Sequence, residues 1–526
     1  KGKGKGKGYE VTKGYQTSSG KKGFWVYYKK KETDAPTTGE IPTVAPTFNP
    51  TLAPVTASPT VAPATAAPQT AGPTLAPVTD QPSLQPTTPA PVPPGATPQP
   101  TDTPTITPTT ATPTSASPTT AQPTTDQPTG PVNQRCDSWL QIGQDIDGEG
   151  EVNFSGASLA VSADARTIIV GEYLAGDMTQ GQARVWTYDE DQDLWFQVAS
   201  TISGDNEDDN TGFGVAITPD GDDVIVGSPE FDVGNNRDDG RAQIFQLQAD
   251  WTQIGSDILG EAEDDFFGNS VAIRDDAQFI TIGARSNTNP AGETDAGHVR
   301  TFEFSSDSGE WEPVANELNG AGDDLFGTSV NMTPDGETLM VGAAGYIRVY
   351  DLEAGQWVQV GNDIVRTAGG DQNGNSESIS DDGQTIAIGA PSFDSGSGQV
   401  RMLEFDEDLG DWVQKGSSLE TDLSTAFLGE AVSLSADGNV VLVGSPTANN
   451  QQGFASVFQF ENGDWEQVAD DIPGEFEGDF FGQAVGISDD GQTIAIGAPE
   501  NDDGGNLGDL TGHTRVFVCG FNATQP

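Results

Sequence analysis

Residues 251–304 read "WTQIGSDILGEAEDDFFGNSVAIRDDAQFITIGARSNTNPAGETDAGHVRTFEF", and near-copies of this stretch fill the C-terminal three-quarters of the chain. A tryptophan opens each copy: Trp139, Trp195, Trp251, Trp311, Trp357, Trp412 and Trp465, at gaps of 56, 56, 60, 46, 55 and 53 residues. Each copy parses into four short runs of strand-forming residues separated by Gly, Asp and Asn. By place in the repeat these are strand A ("FGNSVAI"), strand B ("TIAIGAP" in the last copy), strand C ("HVRTFEF") and strand D ("WTQIGSDI"). Four strands in a repeat of this length are the content of one propeller blade. The spacing therefore predicts an all-β fold, a seven-bladed β-propeller of four-stranded blades.

Strand A alternates as a pleated strand should. Val215, Val271, Val330, Val432 and Val485 share one position, and Ile217, Ile273, Met332, Leu434 and Ile487 follow two residues on. The residue between is small or polar, as a face pressed against a neighbouring blade requires. A and B are joined by a tight turn such as Asp489-Asp490-Gly491-Gln492, where Asp-Gly supplies hairpin backbone angles.

The first copy opens with strand D and the last ends with strand C. Trp139–Ile146 is therefore expected to complete the last blade beside Thr514–Cys519. The chain has two cysteines, Cys136 and Cys519, which bracket the repeats. Aligned on the third copy they fall at Phe304 and Ser308, either side of an ordinary C-to-D turn. A Cys136–Cys519 disulfide would replace the one turn the chain lacks, and it implies an oxidising compartment.

The Phe-Gly and Gly-Ala-Pro signatures resemble those of the FG-GAP repeat found in the integrin α-subunit propeller. Phe-Gly stands at Phe213-Gly214, Phe267-Gly268, Phe326-Gly327 and Phe481-Gly482, and Gly-Ala-Pro at Gly389–Pro391 and Gly497–Pro499. Gly227-Ser228-Pro229 and Gly444-Ser445-Pro446 are close variants. The fifth copy departs, with "GGDQNGNSESIS" in place of Phe-Gly, and the fourth has a short Gly342-Ala343-Ala344-Gly345. The resemblance implies the propeller fold and an extracellular, adhesive class of role. The family's calcium loop lies between A and B. Here that connection is only "SDDGQ" or "TPDGD", too short to wrap an ion with five or more oxygens, so that site does not carry over.

Ahead of the propeller (135–520) lie two regions of other composition. Residues 1–33 form a Lys/Gly-rich tail, with ten lysines and one acid in residues 1–31. Alternating Lys and Gly repel and favour disorder. Residues 34–134 hold 25 of the 35 prolines, between Pro36 and Pro131. That density removes backbone donors and favours polyproline II. Such a mucin-like linker could reach roughly 300 Å if fully extended. Residues 521–526 are a short C-terminal tail. Either a signal peptide has been removed ahead of Lys1 or the chain starts as a fragment, and no run of 18 apolar residues spans a membrane.

The net charge of −57 conceals a basic tail and an acidic body, since residues 135–526 carry 73 acids against 13 basic residues. Such a body disfavours nucleic acid as a partner and favours basic or metal-ion partners. D-to-A and B-to-C loops share one face. The stalk and disulfide belong to the other. The loop face gathers the candidate acidic binding residues Asp208, Asp209, Glu263, Asp264, Asp265, Asp323, Asp324, Glu475, Asp479, Asp502 and Asp503. No cofactor is required, and Ca2+ is the candidate ion for this face. The two histidines, His298 and His513, occupy one repeat position, which points to architecture and leaves little room for Ser–His or Cys–His nucleophilic chemistry. Candidate N-glycosylation sequons stand at Asn153 and Asn522, while Asn331 lies inside a strand and is not expected to be modified.

These readings define a secreted, cell-surface or cell-wall monomer. It would be a non-catalytic protein of adhesion or of wall and matrix organisation, binding an extracellular protein or glycan through its acidic face. Two alternatives stand beside it. One is an extracellular carbohydrate-active enzyme, a carboxylate-only hydrolase or lyase. The other is a wall- or mineral-associated structural protein whose lysine tail binds a polyanionic wall, mineral or membrane surface.

Overall fold

In the computed structural model, the described residues are 9–18, 21–30 and 136–520, apart from 151, 177–178, 235, 366–375 and 503–509. Seven antiparallel sheets follow one another along residues 138–520, each built in the order A-B-C-D. Blade 1 is Ser158–Val161, Thr167–Glu172, Gln182–Asp189 and Leu194–Ser203. Blade 3 is Phe267–Ile273, Phe279–Ala284, His298–Ser305 and Glu310–Asn319. Each strand A touches the strand A of the next blade, and that of blade 7 touches that of blade 1. The A strands therefore surround the axis and the ring is closed.

Blade 7 is built from both ends of the domain. Its A, B and C strands are Val485–Ile487, Thr493–Ala498 and His513–Gly520. Ser138–Gln141 pairs with the last of these, with Trp139 opposite Cys519, and Ile146 lies opposite Thr514. Cys136 and Cys519 are disulfide-bonded, with Cα atoms 5.3 Å apart.

The two glycine signatures meet at the seams between blades. A Cβ on Gly227, in strand B of blade 2, would lie 1.9 Å from the carbonyl oxygen of Gly268 in blade 3. The same back-to-back contact pairs Gly171 with Gly212, Gly389 with Gly429 and Gly497 with Gly156. No side chain fits there, so the signature marks the closest approach of neighbouring sheets. This contact corrects one assignment. Thr211-Gly212, not Phe213-Gly214, occupies the Phe-Gly position of blade 2, since Thr211 bridges Gly181 as Phe267 bridges Gly240. Phe213 lies two residues on, edge-to-face with Tyr173. In the divergent fifth copy the buried Glu377 stands opposite Ile388, where blade 3 sets Val271 opposite Ile282.

The repeated tryptophan clasps adjacent blades. The Trp311 indole N–H donates to the Ile254 carbonyl of blade 2 at 2.8 Å, and its ring lies over Gly255, whose φ is +72°. Trp195, Trp412 and Trp465 repeat this arrangement over Gly143, Gly361 and Gly416. Where the equivalent position is Ala199, Ala315 or Ala469, also at positive φ, the bond is not made. Trp251 and Trp139 leave their buried N–H without a partner, and Trp357 turns to the Thr301 hydroxyl.

In the tail, Tyr9–Ser18 pairs with Lys21–Lys30 as an antiparallel hairpin, where the sequence reading expects no fold. A two-stranded hairpin alone is marginally stable at best in water. The Pro/Thr-rich linker lies outside the described residues.

Candidate functional site

The D-to-A loops are built on one backbone plan. Asp208, Asp264 and Asp323 occupy the same loop position at the first three internal seams, with φ of 67°, 65° and 66°. Asp tolerates this left-handed conformation better than most residues. All three are exposed. The residue after each turns inward. Asp265 is 2 % exposed and accepts the N–H groups of Glu261 and Ala262 at 3.1 and 2.7 Å. Asp209 accepts those of Asp205 and Asn206, and Asp479 those of Glu475 and Phe476. Burial pushes the carboxyls of Asp209, Asp265 and Asp479 above the usual range, against the pull of these N–H groups. Asp324 accepts the Ala321 N–H at 3.0 Å and the Tyr346 hydroxyl at 2.7 Å.

The acidic residues thus separate into two sets. Asp209, Asp265, Asp324 and Asp479 hold the loops together. Asp208, Glu263, Asp264, Asp323 and Glu475 are exposed. Within this exposed set the Thr179 hydroxyl donates to Asp208, and the Arg237 guanidinium lies 2.7 Å from Asp264. Asp502 is half-buried, and Asp503 lies outside the described residues. At the other seams whose loops are described, the left-handed position is Thr425, Gly478 or Val152. Among the described residues the carboxylates at this position therefore form an arc over blades 1 to 4.

On the opposite face the A-to-B turns are short and close on themselves. In six of the seven a Ser or Thr hydroxyl donates to the Asp two residues on, as Thr218 does to Asp220 at 2.7 Å and Ser488 to Asp490 at 2.7 Å, and in blade 3 the Arg274 guanidinium donates to Asp276 instead. Around the axis these turns bond to one another. The N–H of Ala163 donates to Pro219, Asp275 to Pro334, Asp381 to Ala436, Ala436 to Asp489 and Asp489 to Ala163. The chain of bonds breaks at Pro219 and Pro334, which have no N–H.

Asp275, Asp381 and Asp489 share one column of this ring, and the sequence reading missed them. Aligning the residue after each turn-opening Ser, Thr or Arg would have found them. Burial, then repulsion from Asp381 and Asp275, pushes Asp489 up to about 6. Burial followed by neighbouring acids also raises Asp275 and Asp381.

Asn153, a candidate glycan acceptor, lies within the fold. It is 3 % exposed, and its amide donates to the Glu149 carbonyl at 2.5 Å. Asn331 donates to the Glu377 carbonyl at 2.9 Å, in keeping with its place inside a strand. Asn522 lies outside the described residues. His298 and His513 are both fully buried at the start of strand C.

The fold and its seams define a seven-bladed β-propeller with glycine-paired blade contacts. Residues 473–510, the loop into blade 7 with its first two strands, match the FG-GAP repeat family. No curated protein matches the chain. Among solved structures the chain is similar to a putative 6-phosphogluconolactonase from Bacteroides uniformis ATCC 8492, at 12 % identity and a TM-score of 0.46, over 61 % of this chain and 87 % of that one.

Proposed function

We propose that this chain is an extracellular, non-catalytic binding protein whose propeller engages a basic protein segment or a cation-bridged glycan through its D-to-A loops. The observation that carries the reading is the arc of exposed aspartates at Asp208, Asp264 and Asp323, each set by the same left-handed turn and followed by an aspartate that accepts loop N–H groups. Such loops present carboxylates at low entropic cost. Calcium between this arc and an acidic glycan is the form the reading takes for a carbohydrate ligand. The disulfide supports an oxidising compartment. Among the described residues no helix is long and apolar enough to cross a membrane.

A protein and glycan array probed with the full chain, with and without calcium, tests the reading. Asp208→Asn, Asp264→Asn and Asp323→Asn combined should abolish the strongest signals. Glu312→Gln, on the outer strand of blade 3, should leave them unchanged. Binding that survives the triple variant would move the ligand to another surface.

A second reading, a carboxylate-only hydrolase or lyase, is favoured by one observation, the raised carboxyls of Asp275, Asp381 and Asp489. Turnover of a polysaccharide panel that is lost in Asp489→Asn would support it.

A further inference from the structure

The two histidines of the chain each face two carboxylates contributed by both sides of a blade seam. His298, at the start of strand C in blade 3, has Nδ1 2.8 Å from Glu317 Oε1 on strand D, and Glu261 reaches in from the loop that leaves blade 2. His513 is set the same way in blade 7. Its Nδ1 lies 3.6 Å from Asp145 Oδ2, and Glu475 comes from the loop that leaves blade 6. In each triad the three ligand atoms lie within 4.8 Å of one another. The His513 side chain is fully buried, and neither ring nitrogen has a hydrogen-bond partner; His298 Nε2 is likewise unpartnered.

Blade 2 shows what this position is built to hold. There the first residue of strand C is Arg241, fully buried, with its guanidinium 2.6 Å from Asp205 and 3.1 Å from Asp257. Asp205 and Asp257 stand where Glu261 and Glu317 stand one blade later. A covalently attached cation thus sits between the same two carboxylate positions. In blades 3 and 7 the carboxylates are kept and the cation is replaced by a shorter imidazole.

We propose that His298–Glu317–Glu261 and His513–Asp145–Glu475 are two sites for a divalent transition-metal ion of the zinc class, held across the blade seams. One imidazole nitrogen and two carboxylate oxygens, with water as the fourth ligand, suit zinc. The exposed glutamates supply the freedom to draw the ligands in. Arg300, 3.5 Å from Glu261, and Arg515, 3.9 Å from Asp145, flank the sites. They set an affinity below that of a structural zinc finger. In blade 7 the ion would join residue 145 to residues 475 and 513, so it would tie the two ends of the ring at the end of strand His513–Gly520 away from the disulfide. This site is separate from the exposed aspartate arc and does not depend on it.

The test is metal stoichiometry on the full, disulfide-bonded chain. The protein is stripped with chelator, then dialysed against micromolar zinc with millimolar calcium and magnesium present to saturate diffuse carboxylates. Two zinc ions per chain are expected by elemental analysis. His298→Asn and His513→Asn should each lose one, and the double variant both. Glu475→Gln, an exposed loop change, removes a ligand while leaving the core intact and should weaken the blade 7 ion at least tenfold. Zinc should raise the melting temperature more in His298→Asn than in His513→Asn, because only the former keeps the ion at the closure. A wild-type chain that retains no zinc under these conditions, or a double variant that retains both ions, overturns the proposal.

Discussion

Blades 3 and 7 have the same strands in the same register, yet one is continuous chain and the other is assembled from two ends. Phe304 lies opposite Trp311 in blade 3, and Cys519 lies opposite Trp139 in blade 7. Both blades begin strand C with a buried histidine. The difference is at the edge. Trp311 is bonded to blade 2 over a glycine, whereas in blade 7 the equivalent position is Ala469 and Trp139 leaves its indole N–H without a partner. The closing seam is therefore the less well clasped of the two, and the disulfide lies on it. The covalent bond stands in for the missing turn and for part of the missing clasp.

The largest test of that difference is to remove the closing strand. Deleting residues 136–147 takes away Trp139 and the fully buried Ile146, and it exposes the edge of His513–Gly520. Burial of a side chain such as Ile146 contributes about 1.5–3 kcal/mol, and an open edge invites pairing between chains. The expected outcome is aggregation, or loss of a cooperative melt, by light scattering and circular dichroism. A monomeric product with an unchanged melting curve would show that six complete blades and one open blade suffice.

Next in size is Cys519→Ala. The disulfide spans 383 residues of sequence, for which the chain-entropy account gives about 5–6 kcal/mol as an upper figure. Calorimetry should show a lower melting temperature with an unchanged far-ultraviolet spectrum, since the strand pairing remains. An unchanged melting temperature would mean that Trp139 and Ile146 close the ring unaided.

The number of blades, the closure and the disulfide were all legible in the sequence, because each follows from periodicity and from where the repeats begin and end. The inward or outward turn of a loop acid was not. Asp264 and Asp265 are adjacent and chemically identical, but a left-handed backbone at Asp264 exposes one and buries the other. The fifth copy hid its strand A because Glu377 replaces the usual valine. The Phe-Gly of blade 2 was misplaced because Phe213-Gly214 imitates the signature while Thr211-Gly212 makes the contact. Composition was equally silent on why tryptophan recurs. The structure supplies the reason at four of the seven, where the indole N–H bonds to a backbone carbonyl of the preceding blade.

Charge at the axis separates the same two blades by a smaller amount. Asp275 of blade 3 and Asp489 of blade 7 share a turn position, and burial followed by neighbouring acids raises both, Asp489 to about 6. A carboxyl whose folded pKa lies above its unfolded value contributes stability below the unfolded value, near 4, and loses it as pH rises through about 6. Asp489→Asn should therefore stabilise the protein at pH 7, and the gain should disappear at pH 4. The neighbouring turns desolvate the Asp489 carboxyl only in part and the residue as a whole is exposed, so solvent screening holds the gain to ~1 kcal/mol or less. Asp275→Asn should give less. Equal melting shifts for the two variants at pH 7 would erase the distinction between the blades.

The smallest test goes to the clasp itself. Ala469 has a φ of 61°, a conformation that costs a side-chain-bearing residue about 1–2 kcal/mol relative to glycine. Glycine returns about 0.5–1 kcal/mol of this through its greater freedom in the unfolded chain. Ala469→Gly should therefore stabilise by about 0–1.5 kcal/mol from strain alone. It should also let the Trp139 ring settle as Trp311 does over Gly255, bringing its N–H to the Val468 carbonyl. A new bond there would add about 0.5–1.5 kcal/mol. Gly255→Ala supplies the reverse change in blade 3, where a Cβ would lie 2.8 Å from the Trp311 ring. If the clasp is what separates the two blades, the cost of Cys519→Ala should shrink in the Ala469→Gly background. Strict additivity of those two changes in a double-mutant cycle would show that the disulfide and the clasp act independently, and that blade 7 needs its covalent bond for the missing turn alone.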